Sequence, residues 1–326
     1  MRAVSIVDDG ADGRLAVITT EDPQPSAGEI VIDVAGAGVN RADVTQRRGG
    51  RNVPPGASPL PGLECAGTVS AVGASVAQWK VGDRVCAIMT GGGYAEKVVV
   101  PAGQVMAVPP SVSLVDAAAL PEAMATAWSN LVGLGRLTAG DRLLVHGGAS
   151  GVGTMAIQLA KMLGVEVFAT VGDDRKAAIC RDLGARAVFN YRSEDFVERV
   201  QDETSGAGVD VVLDVVGADY LQRNVEALAF GGRLVMIGLQ SGSLGALDLR
   251  EVVRKQVCVT GSLLRPRSVA EKTQIVGEIA THVMPWVRDG SVVPVVDSRF
   301  TFGSAGDAHA LMESSAHIGK ILLVPA

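Results

Sequence analysis

Cysteine is scarce in this chain: Cys65, Cys86, Cys180 and Cys258 lie far apart, and no C-x-x-C pair occurs. That spacing supplies neither a disulfide framework nor a zinc knuckle, and it fits reduced thiols in a cytoplasmic protein. Basic charge is short too. Twenty-nine Lys and Arg face 35 Asp and Glu, a net charge of −6, with no basic tail or block. The balance argues against nucleic acid, and against an anionic membrane surface, as the main partner. No apolar stretch approaches the roughly 18 residues needed to cross a bilayer. The opening M-R-A-V-S-I-V-D-D-G reaches acid too soon for a secretory segment. The histidines, His146, His282, His309 and His317, have no ligand spacing among themselves and read as ordinary polar or core residues.

What is present is a globular composition, 48% hydrophobic and 20% charged, over 326 residues, enough for two domains with real cores. Up to about residue 120 the texture is short and alternating, as in E-I-V-I-D-V (29–34), V-G-D-R-V-C-A-I (81–88) and A-E-K-V-V-V (95–100). Alternation at period two between turn residues predicts a mostly β domain. P-P-G (54–56) and L-P-G (60–62) mark loops. From about 125 the rhythm becomes strand, helix, strand, helix. Strands are expected at 143–146, 165–170, 187–190, 209–215, 233–239 and 257–262, with helices at 154–163, 174–183, 193–201 and 220–228. Strands so apolar are buried on both faces, which predicts an α/β, doubly wound parallel sheet that binds a dinucleotide. A helix over 268–289 follows, and the β texture then returns. The nucleotide domain, 123–265, is therefore expected as an insertion into a domain built from 1–122 and 266–326.

The strand at 143–146 runs into G-G-A-S-G-V-G (147–153) and then a helix. Such a turn aims helix N-terminal N–H groups at a phosphate. Gly148 is expected to permit the tight turn and Gly153 close packing of helix on strand. Ser150 stands where the usual fingerprint has a middle glycine. It is small enough to admit a pyrophosphate, and its hydroxyl is a candidate phosphate donor beside Gly151 and Val152.

These residues carry a resemblance. G-D-R-L-L-V-H-G-G-A-S-G-V-G-T-M-A-I-Q-L-A-K (140–161) resembles the nucleotide turn of the zinc-free quinone oxidoreductases, the zeta-crystallin-like members of the medium-chain dehydrogenase/reductase superfamily. G-V-N-R-A-D (38–43), P-P-G-A-S (54–58), L-P-G-L-E-C-A-G-T-V (60–69), W-K-V-G-D-R-V (79–85), G-G-G-Y-A-E (91–96), F-N-Y-R-S-E-D-F (189–196) and I-G-K-I-L-L (318–323) extend it along almost the whole chain. Within the family it looks nearest to the branch induced by a tumour suppressor, which also has serine in the turn. The resemblance implies a GroES-like catalytic domain beside a Rossmann domain, and a homodimer paired through the last strand of the sheet. It implies an NADPH:quinone oxidoreductase. An enone or enoyl-thioester reductase on the same scaffold is the alternative, as is a cofactor-binding protein with a structural or RNA-binding role.

It also implies that no metal is bound. Asn40, Leu63 and Glu122 stand where zinc-dependent relatives place their ligands. A quinone or enone is electrophilic enough to accept hydride without a Lewis acid. Val171 and Gly172 replace the acid that selects NAD, while Lys176 and Tyr191 match residues around the 2′-phosphate of NADPH. Asp173 replaces a serine or threonine. It reads equally as a helix cap and as a charge that weakens discrimination against NADH. The family pattern further places Asn40, Thr126, Gly217, Gly238, Leu239, Ser262, Leu263, Leu264 and Lys320 at the cofactor. Arg51 falls where near relatives carry a tyrosine of the quinone site. It reads either as a group for an anionic acceptor or as a solvated loop arginine.

Overall fold

The computed structural model describes residues 1–7, 13–49 and 53–325, so Arg51 lies outside the described residues. The chain divides into two compact units, Met1–Ala125 with Leu264–Ala326, and Thr126–Leu263. The expected boundaries were 122/123 and 265/266.

The first unit opens with β1 (Arg2–Ile6) and β2 (Leu15–Thr19), an antiparallel pair. Then come β3 (Glu29–Gly38), α1 (Arg41–Arg47), β4 (Glu64–Val72), β5 (Arg84–Ile88), β6 (Lys97–Pro101), β7 (Val105–Ala107), α2 (Leu114–Ala117) and α3 (Pro121–Trp128), whose last three residues belong to the second unit. The second unit contains β8 (Arg142–His146), α4 (Gly151–Met162), β9 (Glu166–Val171), α5 (Asp174–Leu183), β10 (Ala187–Asn190), α6 (Phe196–Glu203), β11 (Val209–Asp214), α7 (Leu221–Ala227), β12 (Leu228–Met236), α8 (Leu249–Lys255) and β13 (Cys258–Gly261). The remainder, α9 (Val269–His282), α10 (Met284–Asp289), β14 (Val296–Thr301), α11 (Ala305–Ser314) and β15 (Lys320–Val324), completes the first unit.

In the first unit the main sheet runs β14-β15-β3-β4-β5-β7, with β6 also paired to β3. Ile30 and Ile32 of β3, Val69 of β4, Val85 of β5, Val98 and Val100 of β6 and Ile321 and Leu323 of β15 form its core. Strand β15 inserts beside β3, with Leu322 opposite Gly38, which carries Lys320 to the end of β3.

In the second unit six parallel strands run β10-β9-β8-β11-β12-β13, or 3-2-1-4-5-6 counted within the sheet. The order reverses between β8 and β11, and in such sheets ligands bind at the carboxyl ends beside that reversal. The turn after β8 lies there. Leu144, Phe168, Phe189, Phe196, Val212 and Leu234 pack below it.

Several boundaries differ from the sequence reading, each for a local reason. Helix α4 starts at Gly151 rather than 154, because Ser150 Oγ caps it by accepting from Gly153 N at 3.0 Å. Helix α6 starts at Phe196 rather than 193; Asp195 Oδ1 accepts from Val197 N at 2.7 Å and fixes the start. The single helix expected over 268–289 is two, α9 and α10, divided at Val283. Pro285, with no N–H to donate, sits in the first turn of α10. Strand β12 spans Leu228–Met236 instead of 233–239. No helix among the described residues is long and apolar enough to cross a membrane.

Candidate functional site

In the second unit, β8 ends at His146 and the chain turns through Gly147, whose φ of 67° belongs to the left-handed region that favours glycine. This corrects the sequence reading: the conformational glycine is Gly147, and Gly148 is required by space. A Cβ on Gly148 would meet Ala169 Cβ at 2.8 Å and Cys180 Sγ at 3.1 Å. Gly148 N instead donates to Thr170 O at 3.0 Å, tying the turn to β9. Gly153 is sterically required as well, since a Cβ there would overlap the carbonyls of Gly147 and Gly148. Its N–H is spent on Ser150 Oγ. The N–H groups of Gly151 and Val152, in the first turn, have no intrahelical acceptor, and the Ser150 hydroxyl proton is still available to donate. The turn therefore offers three donors and the positive end of a twelve-residue helix, a cradle that fits a pyrophosphate.

At the end of β9 the residues read for cofactor choice converge. Gly172 is held close by Tyr191: a Cβ there would lie 2.6 Å from Tyr191 Oη and 3.4 Å from Arg192 Nε. Asp173 resolves as a cap, its Oδ1 accepting from Lys176 N at 2.9 Å. Arg192 is a cation the sequence reading missed. The available signal was its place directly after Tyr191, in an exposed turn beyond β10.

The later strands bring their residues to the same carboxyl ends. Asp214, at the end of β11, is buried and accepts from Val216 N at 2.8 Å and Gly217 N at 2.9 Å. Burial raises its pKa, and these bonds oppose the rise. A Cβ on Gly217 would lie 2.8 Å from Gly242 O, and one on Gly238 2.9 Å from Val215 O. Ser262 Oγ donates to Asn130 Oδ1 at 2.8 Å, and Asn130 Nδ2 donates to Thr126 O at 2.8 Å, so Thr126 and Ser262 are joined through one asparagine. Leu239 and Leu263 are exposed. Leu264, by contrast, is buried in the first unit.

The first unit holds a separate buried polar cluster. Asn40, just before α1, donates from Nδ2 to Glu64 Oε1 at 3.0 Å and to Gly38 O at 3.3 Å. Lys320 Nζ donates to Asn40 Oδ1 at 2.7 Å and Val39 O at 3.1 Å, and pairs with Glu64 Oε1 at 2.6 Å. All three N–H donors of Lys320 are thus directed to protein oxygens. The family pattern places this lysine at the cofactor; here it locks Asn40. Glu64 Oε2 accepts from Glu122 N at 2.8 Å. The half-buried Glu122 carboxyl is pushed up to about 8, first by burial and then by the charge of Glu64.

Asp43 extends the cluster. It is fully buried, accepting from Gly62 N at 3.0 Å, Asn40 N at 2.9 Å and Tyr94 Oη at 3.2 Å. Burial raises it to about 6, against the pull of those backbone donors. Tyr94 Oη also lies 3.2 Å from His309 Nε2. His146, also buried and in the second unit, is bound to Thr170 Oγ1 at 2.9 Å and Asn224 Oδ1 at 2.7 Å, and packs against Phe196 and Tyr220.

The two stretches 26–110 and 151–278 match family models described as an alcohol dehydrogenase GroES-like domain and a zinc-binding dehydrogenase. The residues present do not fit zinc. Leu63 has no donor atom and the amide of Asn40 is bound at both ends, so of the three ligand positions only Glu122 is left, and the neighbouring carboxylate of Glu64 is paired with an ammonium. Among the described residues, no three His, Cys, Asp or Glu are grouped to hold a metal. The chain is 32% identical over 318 residues to a phenolphthiocerol/phthiocerol polyketide synthase of Mycobacterium tuberculosis, covering 95% of this chain. It spans only 14% of that synthase's length. Two solved structures match end to end. The Escherichia coli quinone oxidoreductase complexed with NADPH is 31% identical with a TM-score of 0.87, covering 99% of each chain. The CurK enoyl reductase is 29% identical with a TM-score of 0.88, covering 100% of this chain and 99% of that one.

Proposed function

Because the chain belongs to the zinc-free, quinone oxidoreductase- and enoyl reductase-like family of the medium-chain dehydrogenase/reductase superfamily, we propose that it reduces a quinone with NADPH. One observation carries the choice of acceptor. Of the three positions where zinc-dependent relatives place their ligands, Asn40 is occupied by Lys320 and Leu63 has no donor atom, which leaves Glu122 alone and no ligand set for a Lewis acid. An alcohol or simple carbonyl needs that polarisation; a quinone does not. When bound, the reduced nicotinamide supplies the hydride.

The residues around the turn support a nicotinamide cofactor. Gly151, Val152 and Ser150 offer donors to a pyrophosphate, and relatives of this chain have been crystallised with NADPH. Tyr191, Lys176 and Arg192 favour the 2′-phosphate. Asp173, though spent as a cap, keeps its charge nearby and narrows the preference over NADH. Thr126, Gly217, Gly238, Leu239, Ser262, Leu263 and Leu264 are the further contacts of the same reading. Asn40 belongs to it as an acceptor: both Nδ2 hydrogens are used, so only Oδ1 has capacity left. Serine in the turn favours the tumour-suppressor-inducible branch.

A homodimer and a cytoplasmic setting complete the reading. Strand β13 is an open edge flanked by exposed Val259 on the strand and by Leu249 and Val253 on α8, a surface suited to pairing with a second copy. Sedimentation at micromolar concentration tests this, and a monomer would contradict it.

The enone or enoyl-thioester reading is favoured by the similarity to the CurK enoyl reductase and to the polyketide synthases. Steady-state NADPH oxidation with a naphthoquinone and with a crotonyl thioester separates the two. The quinone reading expects the higher kcat/KM with the naphthoquinone; the reverse order would replace it with the enoyl reading.

A further inference from the structure

In the second unit the ladder between β8 and β11 stops at Val145, opposite Leu213. The next residues, His146 and Asp214, are joined by a side chain instead. Asn224, on α7, meets His146 Nε2 with its Oδ1 at 2.7 Å. Its amide also lies beside the Asp214 carboxyl and helps to hold it ionised, while Nδ2 has no hydrogen bond of normal geometry among the described residues. On the other side of the ring, His146 Nδ1 lies 2.9 Å from Thr170 Oγ1 on β9. All four side chains are buried.

Charge fixes the direction of each bond in this chain. An ionised carboxylate accepts and cannot donate, so the side of Asn224 turned to Asp214 is the NH2. A flipped amide would set Oδ1 against a buried carboxylate, where unpaired acceptors are costly. Oδ1 is thus left for the imidazole, and because it can only accept, the ring proton sits on Nε2. Nδ1 keeps its lone pair, and the Thr170 hydroxyl donates to it.

Each strand in the chain leads into a loop read as cofactor-binding. His146 directly precedes Gly147 and the glycine turn. Thr170 precedes Val171 and Gly172, and its carbonyl accepts from Gly148 N at 3.0 Å. Asp214 accepts from Val216 N and Gly217 N. We propose that His146 and Asn224 are positioning residues for the dinucleotide: the relay Asp214–Asn224–His146–Thr170 replaces the backbone ladder where the crevice opens, and it holds the three loops at the spacing the cofactor needs. This rests on the nicotinamide reading and not on the choice of acceptor. None of the four side chains needs to touch the ligand, so breaking the relay should weaken cofactor binding and leave the chemical step alone.

Two readouts on the full chain test it. With 15N-labelled histidine at pH 7, the His146 signals, identified by their absence from H146Q, should show a protonated Nε2 and a bare Nδ1. D214N removes the charge that orients the amide, and it should give a mixture of both tautomers with His146 itself unaltered. NADPH titration followed by nucleotide fluorescence is the second readout. H146L and N224L should each raise Kd about tenfold, and the double variant by about the same factor, since both cut one relay. With a naphthoquinone and saturating NADPH, kcat should stay within about twofold. H146Q keeps an N–H near the place of Nε2 and should recover most of the affinity. T170V, which loses only the hydroxyl, serves if the leucine variants do not fold, with Kd raised about threefold. A role confined to stability would lower the melting temperatures and move neither the Kd nor the tautomer.

A proton on Nδ1 in the wild type, or a Kd unchanged by cutting the relay, would overturn the proposal. If NADPH binding depends on the relay but no acceptor is reduced, the proposal stands and the reductase reading falls. If the acceptor is reduced and all forms bind NADPH equally, the proposal falls and the reductase reading stands. No NADPH binding by the wild type would overturn both.

Discussion

Lys320 and Glu64 form an ion pair shut away from water: Nζ and Oε1 lie 2.6 Å apart, with side chains 6% and 0% exposed. The pair also fixes Asn40, whose amide bridges the two. Removing one partner strands a buried charge, so K320M should destabilise the protein by about 3–5 kcal/mol. The double variant K320M/E64L, with neither charge, should recover a large part of that loss. Urea denaturation of the single and double variants measures both. A double variant no more stable than the single would show that packing, and not the unpaired charge, dominates.

Ser150 has two separable jobs. As the cap of α4 it accepts from Gly153 N, and replacing it with alanine should cost about 1 kcal/mol, whereas glycine should cost a few tenths. As a phosphate donor it loses its hydroxyl equally in both variants. NADPH affinity should therefore fall similarly in S150A and S150G, while their melting temperatures differ. Affinity that followed stability would leave the serine as a cap alone.

Cofactor choice should respond to charge around Gly172. D173N keeps a good cap and removes a carboxylate, so it should raise the ratio of NADPH to NADH kcat/KM. R192A should lower kcat/KM for NADPH about tenfold and leave NADH within about twofold. Parallel effects on the two cofactors would remove Arg192 from the 2′-phosphate site.

The buried His146 carries a pH signature. Burial depresses it to about 4 from an ordinary value of 6.5. Between those values the unfolded chain takes a proton that the folded chain refuses. Stability therefore falls as pH drops from 6.5 towards 4, by up to about 3 kcal/mol. The raised carboxyls of Asp43 and Glu122 have the opposite slope, being protonated longer in the folded state. Comparing H146Q with the wild type isolates the histidine: their stability difference should narrow on acidification from pH 7 to pH 5. A constant difference would contradict the assignment.

Much of this was legible in the sequence because it depends on local pattern. The strand rhythm of the second unit and the helix at 174–183 follow from apolar runs bounded by turn residues. The role of Gly147 was not legible. Two adjacent glycines are equivalent in sequence, and only the backbone path shows which takes positive φ and which faces Ala169. The start of α4 was read late because its cap, Ser150, precedes the apolar pattern, and that of α6 was read early because the polar residues before its cap, Asp195, continue the helical spacing. The break at Val283 was hidden because the pattern continues across it, although Pro285 marked the place. Lys320, Glu64 and Asn40 lie far apart along the chain, and they meet because β3 pairs with β4 on one side and with β15 on the other. No local pattern encodes them.

One assay tests the metal-free quinone reduction most directly: steady-state oxidation of NADPH and of NADH by a naphthoquinone, using protein dialysed against a chelator. Quinone-dependent oxidation should survive the chelator, with kcat/KM for NADPH above that for NADH. Activity lost on chelation and restored by zinc, or a preference for NADH of about tenfold or more, would contradict it.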